Sequence, residues 1–336
     1  MANSNLTVLF NQRPNGLPDI NCFRVTEGSI PEVREGELLL RTLYLSIDPV
    51  LLNRLKGVPS YGAFQPNELI SWVGLGQVIA SRHPDYGVGD IVESMMGWQQ
   101  FTSVTALNVF RKIDPTLSPV SHALGILGVS GMTGYFGLLE TGYPQAGETV
   151  VVSAAAGAVG STAGQLARLK GAHVVGITSS PEKKRYLLDE LGFDAAVSYK
   201  SDRFAAELAE ACPNGIALYF DNVGGAVTDV VMDNMKDFGR IALCGQVATY
   251  HESDGGWRGN LLPIVMHSLR LQGFNTSKYA DRYPEAIKEL SNWIADGKIK
   301  VRETVAQGLE SAPKAFVGIF NSQNVGKQLV KVSDPA

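Results

Sequence analysis

Between Glu148 and Phe274 the sequence alternates between short apolar runs and helical segments with hardly a break, and this alternation constrains the fold more than anything else in the chain. "ETVVVSA" reads as a buried strand, "GSTAGQLARLKG" as a helix with Ala163, Leu166, Ala167 and Leu169 at helical spacing, and "AHVVGIT" as a second buried strand. The helix "SPEKKRYLLDELG" follows, with Ser180 as N-cap, Pro181 at its first position and Gly192 at its stop. Then come "AAVSY" as strand, "RFAAELAEAC" as helix, "IALYFDNVGG" as strand, "AVTDVVMDNMK" as helix and "GRIALCG" as strand. Five buried strands alternating with four helices predict an α/β architecture, a doubly wound parallel sheet. "LRLQGF" adds a sixth strand and "PEAIKELSNWIADGK" a closing helix.

The first third has a different rhythm. "GELLLRTLYLSID", "WVGLGQVIAS" and "GDIVESMM" run apolar or alternate between Gly, Pro and Asp, the pattern of a β-rich domain joined by tight turns. The tail returns to short mixed segments and ends in the alternating "KQLVKV", which predicts a strand returning to the first sheet. Residues 1–122 and 302–336 are therefore expected to form one domain, and 123–301 a second domain inserted into it.

Charge and composition exclude several classes of function. A net charge of −4 with no run of like charges excludes a nucleic-acid or membrane-surface patch. No segment approaches the ~18 apolar residues that would span a bilayer, and Met1 to Phe10 lacks a basic, then apolar leader; cytoplasm is the expected compartment. Cys22, Cys212 and Cys244 stand alone, with no C-x-x-C and no H-E-x-x-H, so neither a disulfide framework nor a metal site is expected. The 36 glycines, by contrast, call for backbone that comes close to something.

One such place lies between the first buried strand and its helix. In Ala154-Ala155-Ala156-Gly157-Ala158-Val159-Gly160-Ser161, Ala155, Gly157 and Gly160 occupy the positions of G-x-G-x-x-G, with Gly164 one turn later. Small residues there allow a tight turn, amides facing a pyrophosphate at the positive end of a helix, and close packing of helix on strand. The second strand then ends without the Asp or Glu that would bind an unmodified ribose. Ser179, Ser180, Lys183, Lys184 and Arg185 stand there instead, and hydroxyls and cations would hold a 2′-phosphate that an acid would repel. NADP(H), with Ser179 and Lys183 at its 2′-phosphate, is the expected cofactor.

Taken together, "AAAGAVGSTAGQLARLKGAHVVG", "GFDAAVSYK", "YFDNVGG", "GRIALCGQVATY", "LRLQGF", the terminal "NVGK", and "LYLSIDP" and "GVSGMTGYFGLLE" before them resemble the medium-chain dehydrogenase/reductase superfamily. They are most similar to its zinc-independent branch of prostaglandin reductases, plant double-bond reductases and bacterial curcumin reductase, over nearly the whole chain. The resemblance implies a GroES-like β-rich catalytic domain, a Rossmann domain, and a homodimer. It implies cofactor contacts at Met132, Thr133, Gly157, Ala158, Val159, Gly160, Ser179, Lys183, Tyr199, Asn222, Cys244, Gly245, Tyr250, Phe274 and Asn324.

Zinc-dependent relatives need a Cys, a His and an acid in the catalytic domain, and four closely spaced cysteines besides. Here only Cys22 precedes the sheet domain, far from His83 and His122. Without a Lewis acid, reduction of an activated C=C is the easier chemistry: an enone or enal needs a hydride from NADPH at its β-carbon, an enolate stabilised by a donor, and a proton at its α-carbon. A tyrosine suits the donor, because its phenol stays protonated at neutral pH. Tyr250, just past the fifth strand, is the first candidate; Tyr61, in "PSYGAF", is the second. Val50 stands where many relatives have a tyrosine after "DP", and Trp257 lies in a glycine-rich loop, 255–260, suited to a pocket lid. An NADPH quinone reductase and a noncatalytic NADPH-binding protein are the alternatives.

Overall fold

Short apolar runs punctuated by Gly, Pro and Asp fold into antiparallel sheet over the first third of the chain. The computed structural model describes residues 4–250 and 259–335. The chain divides into two units, Met1–Gly125 with Glu303–Ala336, and Ile126–Arg302.

In the first unit β1 (Asn5–Phe10) pairs antiparallel with β2 (Phe23–Gly28). β3 (Glu37–Ser46) is followed by the short helix α1 (Leu51–Lys56), then by β4 (Ser71–Ser81), β5 (Ile91–Gly97), β6 (Phe101–Thr105) and β7 (Val109–Ile113). Side chains alternate across a strand, and β3 is apolar on both faces. Leu38 and Leu40 join a core with Val78, Val92, Met96 and Val104, whereas Leu43 joins a second with Leu75, Ile91, Ala123 and Leu124. α1 stops at Gly57, whose φ of +81° glycine tolerates without cost.

The second unit is the alternating segment. α2 (Val129–Phe136) leads into β8 (Thr149–Val152), α3 (Ala158–Leu169), β9 (His173–Thr178), α4 (Pro181–Arg185), β10 (Ala195–Ser198), α5 (Phe204–Ala211), β11 (Ile216–Asp221) and α6 (Gly225–Met232). β12 (Met235–Leu243), α7 (Leu262–Met266), β13 (Arg270–Gly273) and α8 (Tyr283–Ala295) complete it. The six strands are all parallel, in the order β10-β9-β8-β11-β12-β13. Chain direction across the sheet reverses between β8 and β11, and such a reversal opens a crevice at the carboxyl ends of the strands. Val151, Val175, Ile177, Val197, Tyr219 and Ile241 from the sheet pack with Phe204, Leu208 and Met232 from the helices.

α2 is a helix that its glycines concealed in the sequence. Its glycines serve packing: a Cβ on Gly134 would stand 2.8 Å from Thr162 Cβ of α3, and one on Gly137, the C-cap of α2, only 2.1 Å from Phe274 Cζ. The tail re-enters the first unit as β14 (Glu303–Gln307), α9 (Ala312–Phe320) and β15 (Lys327–Lys331). β15 pairs antiparallel with β3, so "KQLVKV" does return to the first sheet. Across that junction Lys327 forms an ion pair with Asp48, whose other oxygen accepts from Trp72 Nε1 at 2.9 Å and from Ser46 Oγ.

Candidate active site

The turn from β8 into α3 is built around a non-glycine residue in the left-handed region, Ala154 at φ +47°. Its carbonyl accepts from Gly157 N at 2.9 Å, and Ala155 N donates to Ile177 O of β9 at 3.1 Å, tying the turn to the second strand. Gly157 is the N-cap of α3, and no side chain caps that end. The amides of the first turn therefore face outward without intrahelical acceptors, at the positive end of a twelve-residue helix. The turn is as tight as the motif requires, for a Cβ on Gly160 would stand 2.5 Å from Ala154 O and 2.8 Å from Ala155 Cα. Gly164 admits the ring of Phe193, whose Cζ would lie 2.0 Å from an added Cβ.

The tips of β9 and β10 lie side by side, with Thr178 opposite Ser198 and Tyr199 N donating to Thr178 O at 3.1 Å. Ser179 and Tyr199 leave the sheet together there. Ser180 caps α4 by accepting from Lys183 N at 3.3 Å, which sets Lys183 beside the same edge. Burial pushes the Lys183 ammonium below its ordinary lysine value; Glu182 opposes this and the charge of Lys200 adds to it. Lys183 thus stands half-buried at this edge, beside Glu182 in the chain.

At the switch point the organising group is Asp221, a fully buried carboxylate at the end of β11. Its Oδ1 accepts from Tyr219 Oη (2.9 Å), Ser153 Oγ (3.2 Å), Val223 N (2.9 Å) and Gly224 N (2.9 Å), and its Oδ2 from Thr228 Oγ1 (2.6 Å). Its backbone carbonyl accepts from Cys244 N (2.8 Å) and Gly245 N (3.1 Å). Asn222 is fixed by two bonds to Ser153, N to Oγ at 2.9 Å and Nδ2 to O at 2.7 Å. Tyr250 closes the cluster: its Oη stands 3.6 Å from where a Cβ on Gly245 would be, and Asn222 O stands 3.4 Å from the same point. The phenol thus returns to the strand tips, where open α/β sheets place ligands. Burial pushes the Cys244 thiol up to about 12, and the charge of Asp221 adds to it, so this sulfur is a neutral neighbour and not a nucleophile. Thr133 Oγ1 donates to Val129 O at 2.7 Å and meets Thr276 Oγ1 at 2.9 Å, Met132 beside it is fully buried, and the Phe274 ring packs over Gly137 and against Phe220.

Residues 7–112 match the family model described as the N-terminal domain of oxidoreductase, and residues 158–292 that of a zinc-binding dehydrogenase. The chain is 40% identical to the NADPH-dependent curcumin reductase of Escherichia coli, over 96% of this chain and 95% of that protein. To the NADP(+)-dependent 2-alkenal reductase of Nicotiana tabacum it is 39% identical, over 98% of each. Its fold superimposes on CurA from Vibrio vulnificus, solved in complex with NADPH, with a TM-score of 0.92 and 37% identity over 98% of this chain and 100% of that one. The chain belongs to the zinc-independent reductase branch of the medium-chain dehydrogenase/reductase family. The sheet unit is the Rossmann domain of this reductase, and the β-rich unit its GroES-like domain. Among the described residues no three His, Cys, Asp or Glu side chains gather as a metal-binding group, although the second family model carries zinc in its description.

Of the residues singled out in the sequence, the reductase's Rossmann domain gathers Asn222, Cys244, Gly245 and Tyr250 at the strand tips, Gly157 to Gly160 at the phosphate turn, and Ser179, Lys183 and Tyr199 at the next edge. Tyr61 and Asn324 belong to the GroES-like domain. Tyr61 is half exposed in the turn after α1, and Asn324 Nδ2 donates to Gly326 O at 2.9 Å. Trp257 and most of the loop 255–260 lie outside the described residues. Sequence reasoning missed Asp221, Ser153 and Thr276. Asp221 left one signal, an acid ending the otherwise apolar run "IALYF".

Proposed function

We propose that this reductase transfers hydride from NADPH to the β-carbon of α,β-unsaturated ketones and aldehydes, reducing the conjugated C=C. The observation that carries the reading is the Tyr250 phenol beside Gly245 and Asn222 at the switch point of the nucleotide-binding sheet. When bound, NADPH supplies the hydride. The amides of Ala158, Val159 and Gly160 would hold its pyrophosphate, and Ser179, Lys183 and Tyr199 its phosphorylated adenosine end. Met132, Thr133, Gly157, Asn222, Cys244, Gly245, Tyr250, Phe274 and Asn324 complete the set of residues proposed around it.

Tyr250 donates a hydrogen bond to the substrate carbonyl, and that bond strengthens as the oxygen becomes an enolate. A single donor of this kind is worth about 3 kcal/mol, or roughly a hundredfold in rate. Tyr61 is the second phenol proposed for substrate. Relatives named for curcumin, 2-alkenal and pulegone reduction support the substrate class. Among the described residues no helix is long and apolar enough to cross a membrane. A cytoplasmic homodimer completes the proposal. Three free cysteines suit a reducing compartment. The edge strand β13, exposed at all four residues, and the exposed Leu262, Val265 and Met266 of α7 support pairing with a second copy.

The test is NADPH consumption by purified protein with a panel of enals, enones and quinones. Turnover of enals and enones is expected; turnover of quinones alone would make it a quinone reductase, and tight NADPH binding without turnover a binding protein. Tyr250→Phe is expected to lower kcat about a hundredfold with little change in NADPH affinity, and unchanged turnover would remove Tyr250 from the mechanism.

A further inference from the structure

We propose that Lys200 is a second cation for the 2′-phosphate, acting with Lys183 to set the preference for NADPH over NADH; this rests on the cofactor reading above. The placement follows from strand register. β9 and β10 end level, with Thr178 opposite Ser198, so the residues after each tip emerge on one edge of the sheet. Past Ser198 the chain turns at once, Lys200 N donating to Ser198 Oγ at 3.3 Å and Ser201 N to Ser198 O at 3.1 Å. Lys200 is thereby kept at the tip, its ammonium 6.0 Å from the centre of the Tyr199 ring. The Lys183 ammonium, on the neighbouring tip, is close enough to feel the charge of Lys200.

Four acids of this region are engaged elsewhere. Glu207 takes Lys184 at 3.7 Å and Ser201 Oγ at 2.6 Å, Glu210 takes Arg203 at 2.9 Å, Glu190 takes Arg302 at 2.6 Å, and Asp194 accepts from Val174 N at 2.7 Å. Among the described residues neither Lys183 nor Lys200 forms an ion pair; Glu182, next to Lys183 in the chain, and the exposed Asp202 are the acids closest in sequence. Glu182 offsets part of the repulsion between the two ammonium groups; a dianion between them would remove the rest and gain a charge-assisted contact from each. Lys183 alone would supply one such contact. Lys200 supplies the second, and it has no counterpart to meet on an unphosphorylated ribose.

The test is calorimetric binding of NADPH, NADH and 2′,5′-ADP to the full chain and to Lys200→Gln, Lys200→Arg and Lys183→Gln. Lys200→Gln is expected to weaken NADPH and 2′,5′-ADP roughly tenfold, the scale of one charge-assisted hydrogen bond. NADH affinity and thermal stability are expected to stay unchanged, and Lys200→Arg to retain most of the NADPH affinity. A Lys200→Gln variant that binds NADPH within twofold of wild type while Lys183→Gln does not overturns the proposal alone. Equal weakening of NADPH and NADH overturns it too, by showing a structural role. A wild-type chain that binds NADH as tightly as NADPH, with Lys183→Gln unchanged for both, overturns the cofactor reading itself.

Discussion

The two glycines of the phosphate turn are expected to respond very differently to the same substitution. In Gly160→Ala the new methyl would stand 2.5 Å from Ala154 O and 2.8 Å from Ala155 Cα. Both neighbours are backbone, so no rotamer change relieves the clash, and overpacking of this kind costs about 1–3 kcal/mol. Against it stands the gain of alanine over glycine inside a helix, about 1 kcal/mol. The clash wins by about 1 kcal/mol, roughly 2–4 °C in Tm for a unit of this size. Binding suffers more. Relief of the clash moves Ala154 and Ala155 away from the helix end, and each amide drawn out of line with a phosphate forfeits a charge-assisted bond of about 1.5–3 kcal/mol, tenfold or more in NADPH affinity. In Gly157→Ala the backbone, at φ −86° and ψ 173°, suits any residue, and the methyl meets one atom, Ala154 O at 3.2 Å. That carbonyl needs to give by only a few tenths of an ångström and alanine at the N-cap costs about 1 kcal/mol of stability, so NADPH affinity is expected to fall less than in Gly160→Ala. Titration calorimetry with NADPH, alongside thermal unfolding with and without it, measures both effects. Equal losses in the two variants, or a Gly160→Ala protein that binds as wild type does, would refute the idea that the turn's close approach to α3 shapes the pyrophosphate site.

Two other perturbations test the charges. Asp48→Asn strands Lys327, whose side chain is 5% exposed, and breaking such a pair costs about 3 kcal/mol. Burial pushes the Asp48 carboxyl up, but Lys327 and the donors Ser46 and Trp72 outweigh it and hold it below the ordinary carboxylate value. The pair's contribution is therefore complete above the unfolded-state pKa of about 4 and is lost as pH falls through the lower folded value. Urea unfolding across that window should show wild type converging on Asp48→Asn; a constant difference would rule the ion pair out as its source. For Lys183, whose pKa is lowered in the free protein, the protonated form binds the phosphate and binding raises its pKa. The NADPH-to-NADH affinity ratio should fall as pH rises through the lowered value, before the ordinary lysine pKa of about 10.4, with proton uptake on binding. A flat ratio would exclude Lys183 from the 2′-phosphate.

What could be read from the sequence and what could not divides along a physical line. The parallel sheet was legible because its central strands β8, β9 and β11 are buried on both faces and its helices on one, so each writes its own period into neighbouring residues. The phosphate turn was legible for the same reason, Gly157, Gly160 and Gly164 lying within eight residues of one another. α2 was not, because glycines that depress helix propensity are retained in it and at its C-cap, where Gly134 meets Thr162 and Gly137 meets Phe274, both distant in sequence. Asp221 is the sharper case. Its donors come from Ser153, Tyr219, residues 223–224 and Thr228, and its carbonyl serves Cys244 and Gly245, so its role exists only once β8, β11 and β12 lie side by side. A buried carboxylate with five donors costs little once they are assembled and a great deal before. It therefore ties the placement of Asn222 and of Gly245, beside which the Tyr250 phenol stands, to completion of the sheet, and its only mark in the sequence is an acid ending an apolar run.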